Sequence, residues 1–227
     1  MNSSKKQLKS KDIFKNLKSD YFLIKLFDIL LKKRSFEIIK YNKNIKNRIN
    51  INIDTYKEFL GLYSSIELEI KPVKNKYGGF ININKEDEIY YHIYFNDNKE
   101  KIKRKFLNRN EQIKTIKIII NYQVKSFEAL FRYCECIEYI NFKKFYRNNI
   151  INMSSMFFGC HSLNELNLSN FNTNNVTDMS FMFSGCSSLR ELNLSNFNTN
   201  KVTDMSGMFS GCSSLKEINV SNLILIM

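Results

Sequence analysis

The sequence has no tryptophan, one proline (Pro72) and one alanine (Ala129) in 227 residues, while Lys, Asn, Ile, Phe and Tyr abound. A+T-rich codons produce this bias, so codon usage alone accounts for part of the formal charge of +13 without an anionic partner. A long apolar run is also missing. Met1 to Lys18 is polar and basic, and the most apolar early stretch, Phe22 to Leu31, is broken by Lys25 and Asp28. The pattern predicts neither a signal peptide nor a transmembrane segment and points to a cytoplasmic chain. The cysteines number five, an odd count, so no disulfide framework is expected there. Gly-rich phosphate loops, metal-ligand spacings and carboxylate pairs in a pocket-forming context are lacking too. The sequence therefore implies no catalytic residue, metal or cofactor, and the chain reads as not an enzyme.

What is present is charge asymmetry and a repeat. Residues 121–227 carry 8 Lys+Arg against 8 Asp+Glu, leaving 27 against 14 for residues 1–120, so the whole excess lies in the first half. In the second half, three gapless copies start at Ile150, Val176 and Val202 with a period of 26, and a degenerate fourth precedes them from Val124. The cassettes are 124–149, 150–175, 176–201 and 202–227.

Within a cassette, Thr177-Asp178 or Thr203-Asp204 offers a capping oxygen. Met179, Met182, Phe183 and Cys186 then recur at helical spacing before Gly185 and Gly211 let the chain turn out. This predicts a helix of about two turns. Leu189, Leu192 and Leu194 follow as L-x-x-L-x-L, changing to a period of two, which predicts a short strand with Leu192 and Leu194 inward. One strand and one short helix per 26 residues cannot bury their own apolar face, whereas stacked copies can. The expected fold class is α/β: a leucine-rich-repeat solenoid of four strand–helix cassettes with a continuous parallel sheet along one side.

The stretch MFSGCSSLRELNLSNFNTNKVTDMSGMFSGCSSL resembles the BspA-like leucine-rich-repeat surface proteins, whose unit reads roughly VTDMSxMFxGCSSLxxLxLSNFNT. The resemblance covers residues 150–222 closely and 124–149 more weakly. It implies non-catalytic binding or adhesion, and a cell-surface location as the alternative to a cytoplasmic one. The last cassette ends in LILIM, Leu223 to Met227, which reads either as a hydrophobic cap or as the raw end of an array.

The first half, 1–112, reads as a small α+β region, with helices over about 11–60 and a sheet over about 65–110. Alternation marks strands at Ile66–Lys71, Phe80–Asn84, Ile89–Phe95 and Ile116–Ile120, the last within a lead-in strand to the solenoid over 113–120. The helical segment is faintly similar to the opening of F-box modules, which implies an alternative function as an intracellular adaptor recruiting a ligase. The basic stretch Lys99–Arg109, with Tyr94, Phe95 and Phe106 nearby, suits phosphate or anionic-membrane contact. However, Lys outnumbers Arg 28 to 7 and no nucleic-acid motif accompanies it, so a solvated face is the favoured reading.

The outward strand positions form ladders that are the candidate surface for a protein partner: Tyr139, Glu165, Glu191 and Glu217; Asn141, Asn167, Asn193 and Asn219; Ser169 and Ser195. Like-charged glutamates on neighbouring strands repel, with Arg190 and Lys216 close enough in sequence to offer partial relief. The cysteines recurring once per cassette read as buried small thiols, and Cys160 beside His161 as neighbours whose side chains diverge. Sequons at Asn2, Asn152, Asn167, Asn175, Asn193 and Asn219 matter only in a secretory pathway.

Overall fold

The computed structural model describes residues 64–96 and 98–220, all within the compact unit Leu60–Met227. The helices expected over 11–60, the F-box-like segment and Leu223–Met227 lie outside the described residues.

Alternating apolar residues build the first strand, β1 (Ile66–Pro72), whose Ile66, Leu68 and Ile70 are buried. The stretch Phe80–Asn84 is not a strand. Gly78–Gly79 forms β2, after which Phe80 and Ile81 are buried in irregular chain. A 3-10 helix, Lys85–Tyr90, occupies the start of the next expected strand, and β3 is Tyr91–Phe95. Phe106–Leu107 is β4 and pairs antiparallel with β2. Ile116–Ile120 is β5, Ile137–Lys144 is β6, and the three-residue strands Glu165–Asn167, Glu191–Asn193 and Glu217–Asn219 are β7, β8 and β9.

One five-stranded sheet runs β3-β5-β1-β6-β7. Its β3, β5, β1 and β6 pair antiparallel, with Leu68 opposite Ile118 on one side and Phe142 on the other, whereas β6 and β7 are parallel. The expected lead-in strand does not neighbour the repeats: β1 lies between β5 and β6. Arg147, fully buried, donates from Nη1 to the carbonyls of Asn121 (2.8 Å) and Val124 (3.2 Å), tying the chain after β5 to the chain after β6.

The α/β solenoid of strand–helix cassettes is overturned. Among the described residues there is no α-helix, and the structure is mostly sheet and turn. The parallel sheet is also not continuous, because β8 and β9 pair in a separate two-stranded sheet.

The hydrogen bonds show why the helical spacing misleads. The N–H groups of Met179, Phe181, Phe183 and Gly185 donate to the carbonyls of Asp204, Ser206, Met208 and Ser210 in the next copy. The intervening N–H groups of Met182, Ser184 and Cys186 close three-residue turns onto Met179, Phe181 and Phe183. A helix needs every N–H to reach the carbonyl four residues back, and here alternate ones leave the copy. Backbone angles agree: Phe181 has φ 54° and Gly185 φ 75°, left-handed values that interrupt an α-helix. A Cβ on Gly185 would meet the Gly159 backbone at 3.3 Å, so this close approach of two copies requires glycine.

The residues expected to face inward do so. Met179, Met182, Phe183, Cys186, Leu189 and Leu194 are fully buried and Leu192 nearly so. Residues 26 apart come into register, with bridges linking Ser126, Asn152, Asp178 and Asp204 in turn. Phe131, Phe157, Phe183 and Phe209 stack with ring planes 5° apart and centroids 5.5–5.8 Å apart. No helix among the described residues is long and apolar enough to cross a membrane.

A candidate partner-binding groove

The strands β7, β8 and β9 each read Glu-apolar-Asn. Period-two alternation turns the middle residue toward the interior and leaves the glutamate and asparagine outside. Both flanking residues are exposed in all three strands, while Leu192 is buried. With parallel register, Glu191 sits opposite Glu217 and Asn193 opposite Asn219, and Tyr139 on β6 sits opposite Glu165.

These residues surround an open groove of about 990 Å³. Nine of the ten candidate positions line it: Tyr139, Glu165, Asn167, Ser169, Glu191, Asn193, Ser195, Glu217 and Asn219. Asn141 does not, although it is in register with Asn167. The groove spans the break between β7 and β8, so its floor is not a single hydrogen-bonded sheet.

The rows differ chemically. The asparagines are partly committed to the fold, since Asn167 Oδ1 accepts from the Ser169 N–H and Asn193 Oδ1 from the Ser195 N–H, both at 3.0 Å. Such bonds to the residue two positions on fix the turn after each strand. Among the described residues, Glu165, Glu191 and Glu217 make no such bond and no ion pair. Arg190 lines the groove, yet among the described residues neither it nor Lys216 pairs with a glutamate, so the relief expected from those cations is not realised there by contact. At the first-copy end, Lys71 Nζ lies 4.6 Å from the centre of the Tyr139 ring.

Asn196 is a lining residue that sequence reasoning missed. Its Nδ2 donates to the carbonyls of Leu168 (3.0 Å) and Phe171 (2.9 Å), joining the chain after β8 to the chain after β7. Asn170 repeats this one copy earlier, donating to Phe142 and Lys143. The signal was available as an asparagine recurring at 26 residues, three positions beyond the end of each strand.

The other candidate sites resolve into internal contacts. Cys160 Sγ donates to the Phe131 carbonyl, while His161 Nδ1 lies 2.8 Å from the Gly185 carbonyl, so the neighbouring side chains engage separate partners. In the basic stretch, Arg104 pairs with Glu111 and Lys105 with Glu88. Arg109 bonds the Tyr77 hydroxyl. The hydrogen bond from Arg104 holds the Glu111 carboxyl at about 2, well below the usual carboxylate range.

Over residues 125–224 the chain is similar to a family described as "Mycoplasma protein of unknown function, DUF285". No curated protein and no solved structure matches it.

Proposed function

We propose that this chain is a non-catalytic interaction module that holds a protein partner in the groove over β7, β8 and β9. The observation that carries this reading is the gathering of nine outward residues from four copies into one concave surface. The glutamate row there makes no ion pair among the described residues, although Arg190 lines the same groove. Like charges opposite one another on paired strands are destabilising, and a partner bearing Lys or Arg side chains offsets that repulsion while leaving the fold untouched. The asparagine row lies beside it, with Asn167 and Asn193 held by their bonds to the following turns, a preformed polar rim that needs little reordering on binding. The likeness of the 26-residue units to BspA-like repeats, a group associated with binding and adhesion, agrees in kind.

An extended alternating Lys–Thr peptide is the probe, titrated into the full chain by calorimetry. The expected result is binding that weakens with salt and falls about tenfold or more, equivalent to about 1.4 kcal/mol, in the variant combining Glu165→Gln, Glu191→Gln and Glu217→Gln. All three positions are exposed, so the variant keeps its fold, checked by its melting temperature. Equal binding by both proteins rejects the groove as the docking surface.

A further inference from the structure

A second concavity, which shares no lining residue with the acidic groove, lies at the Pro72 end of β1. It measures about 290 Å³, near the small end of the range for small-molecule sites. The register that sets Ile70 opposite Ile116 brings the turn after β1 against the segment leading into β5, and the pairing of Pro72 with Ile137 adds the start of β6. Val73, Leu107 and Ile113 supply apolar wall. Lys71, Lys74, Lys76 and Lys114, all exposed, supply four ammonium groups.

Among the described residues none of these four lysines makes an ion pair. Lys76 Nζ donates to the Ser162 hydroxyl (2.8 Å) and the Glu135 carbonyl (3.3 Å), both uncharged. Lys71 Nζ lies against the Tyr139 ring. Lys74 sits on a turn fixed at both ends, since the Lys76 N–H donates to the Val73 carbonyl (3.1 Å) and the Val73 N–H to the Cys136 carbonyl (2.8 Å). Two carboxylates share the lining. Arg104 grips both oxygens of Glu111 at 2.7 Å, so that charge is already matched, whereas Glu138 makes no ion pair among the described residues.

Charge and volume together select the occupant. Cations of one sign around a concave wall focus their field on the space between them, and lysine binds phosphate as a point charge. A phosphate monoester carries about −1.5 to −2 near neutral pH, which the four ammonium groups outweigh even with Glu138 set against them. The cavity has the volume of roughly ten water molecules, more than a phosphate group fills. An ionised Glu138 only accepts hydrogen bonds, so the remainder of the ligand beside it carries hydroxyl donors. We propose that this pocket binds the phosphate monoester of a small hydroxylated molecule, with Lys74 and Lys114 on the phosphate and Glu138 accepting from a hydroxyl. The site does not rest on the acidic groove.

Amide-resolved NMR titration of the full chain with ribose 5-phosphate, at fixed ionic strength, tests this. The expected result is saturable shifts of the Lys74, Asn75 and Gln112 amides. Combining Lys74→Gln with Lys114→Gln weakens the affinity by about tenfold or more. Combining Lys103→Gln with Lys125→Gln removes the same charge at exposed positions outside the pocket and leaves the affinity unchanged. All four side chains are exposed, so both variants keep the fold, checked by melting temperature. Glu138→Ala lowers the preference for ribose 5-phosphate over inorganic phosphate while inorganic phosphate still binds. Absence of saturable shifts at those amides overturns the proposal. Equal weakening by the two double variants overturns it in favour of general attraction to the positive charge of the chain. Inorganic phosphate binding the unaltered chain as tightly as ribose 5-phosphate overturns the choice of a hydroxylated monoester.

Discussion

Cys160, Cys186 and Cys212 donate their thiol hydrogens to the carbonyls of Phe131, Phe157 and Phe183, each 29 residues earlier, at 2.9, 3.2 and 3.1 Å. Burial pushes these thiols, and Cys134, above the ordinary value, and pushes Cys136 up to about 11. A thiol released by unfolding ionises near 9.0, while its folded counterpart keeps its proton. The unfolded state therefore binds fewer protons above that pH, and stability that is complete below about pH 9 falls as pH rises. Between about pH 9 and 10 each buried thiol contributes a loss approaching 1.4 kcal/mol per pH unit. Higher still, the raised Tyr91 adds to the loss, and Arg147, lowered to about 10 by burial, acts against it. Cys186→Ala is expected to flatten the slope of unfolding free energy in the pH 9–10 window by one thiol's share, read by urea titration at each pH. An unchanged slope sinks the assignment. Spacing alone made buried thiols legible, because one cysteine per copy at a fixed register lands at the same interior corner each time. Their acceptors were not legible, since the bond depends on how far one copy approaches the last.

At the level of the element, inward and outward faces were legible and the backbone between them was not. Met179, Met182, Phe183 and Cys186 are buried together, as a helix of that period demands. Three-residue turns with a left-handed Phe181 place the same side chains on the same side. Periodicity reports which residues share a face, and here two backbones satisfy it. The choice between them is made by N–H groups donating across copies, a long-range fact absent from any one cassette. The turn form makes the phenylalanine stack the load path between copies. Phe183 lies parallel to Phe157 and Phe209 at 5.6 and 5.8 Å, whereas Phe181 is 43% exposed. Phe183→Ala is therefore expected to cost about 3–5 kcal/mol and Phe181→Ala well under half of that, measured by chemical denaturation. Comparable losses from the two would mean that the stack is not what joins the copies.

For the molecule as a whole, the period of 26 and the confinement of the excess positive charge to the first half could be read directly from the chain. The order of the main sheet could not. The pairing of β1 with both β5 and β6 joins Glu67 to Ile119 and to Lys144, contacts across long stretches of sequence that local alternation does not encode. Its consequence is mechanical, because β1 is the strand through which the antiparallel part of the sheet and the first copy meet. Leu68 is 1% exposed and faces neighbours on both sides. Leu68→Ala is expected to cost about 2–5 kcal/mol. It should raise the hydrogen-exchange rates of Ile116–Ile120 and Ile137–Lys144 together, because opening either ladder releases the strand they share. If exchange accelerates in β5 while β6 keeps its protection, the repeats hold together without β1, and the residues before them are an attachment instead of the cap on which the first copy depends.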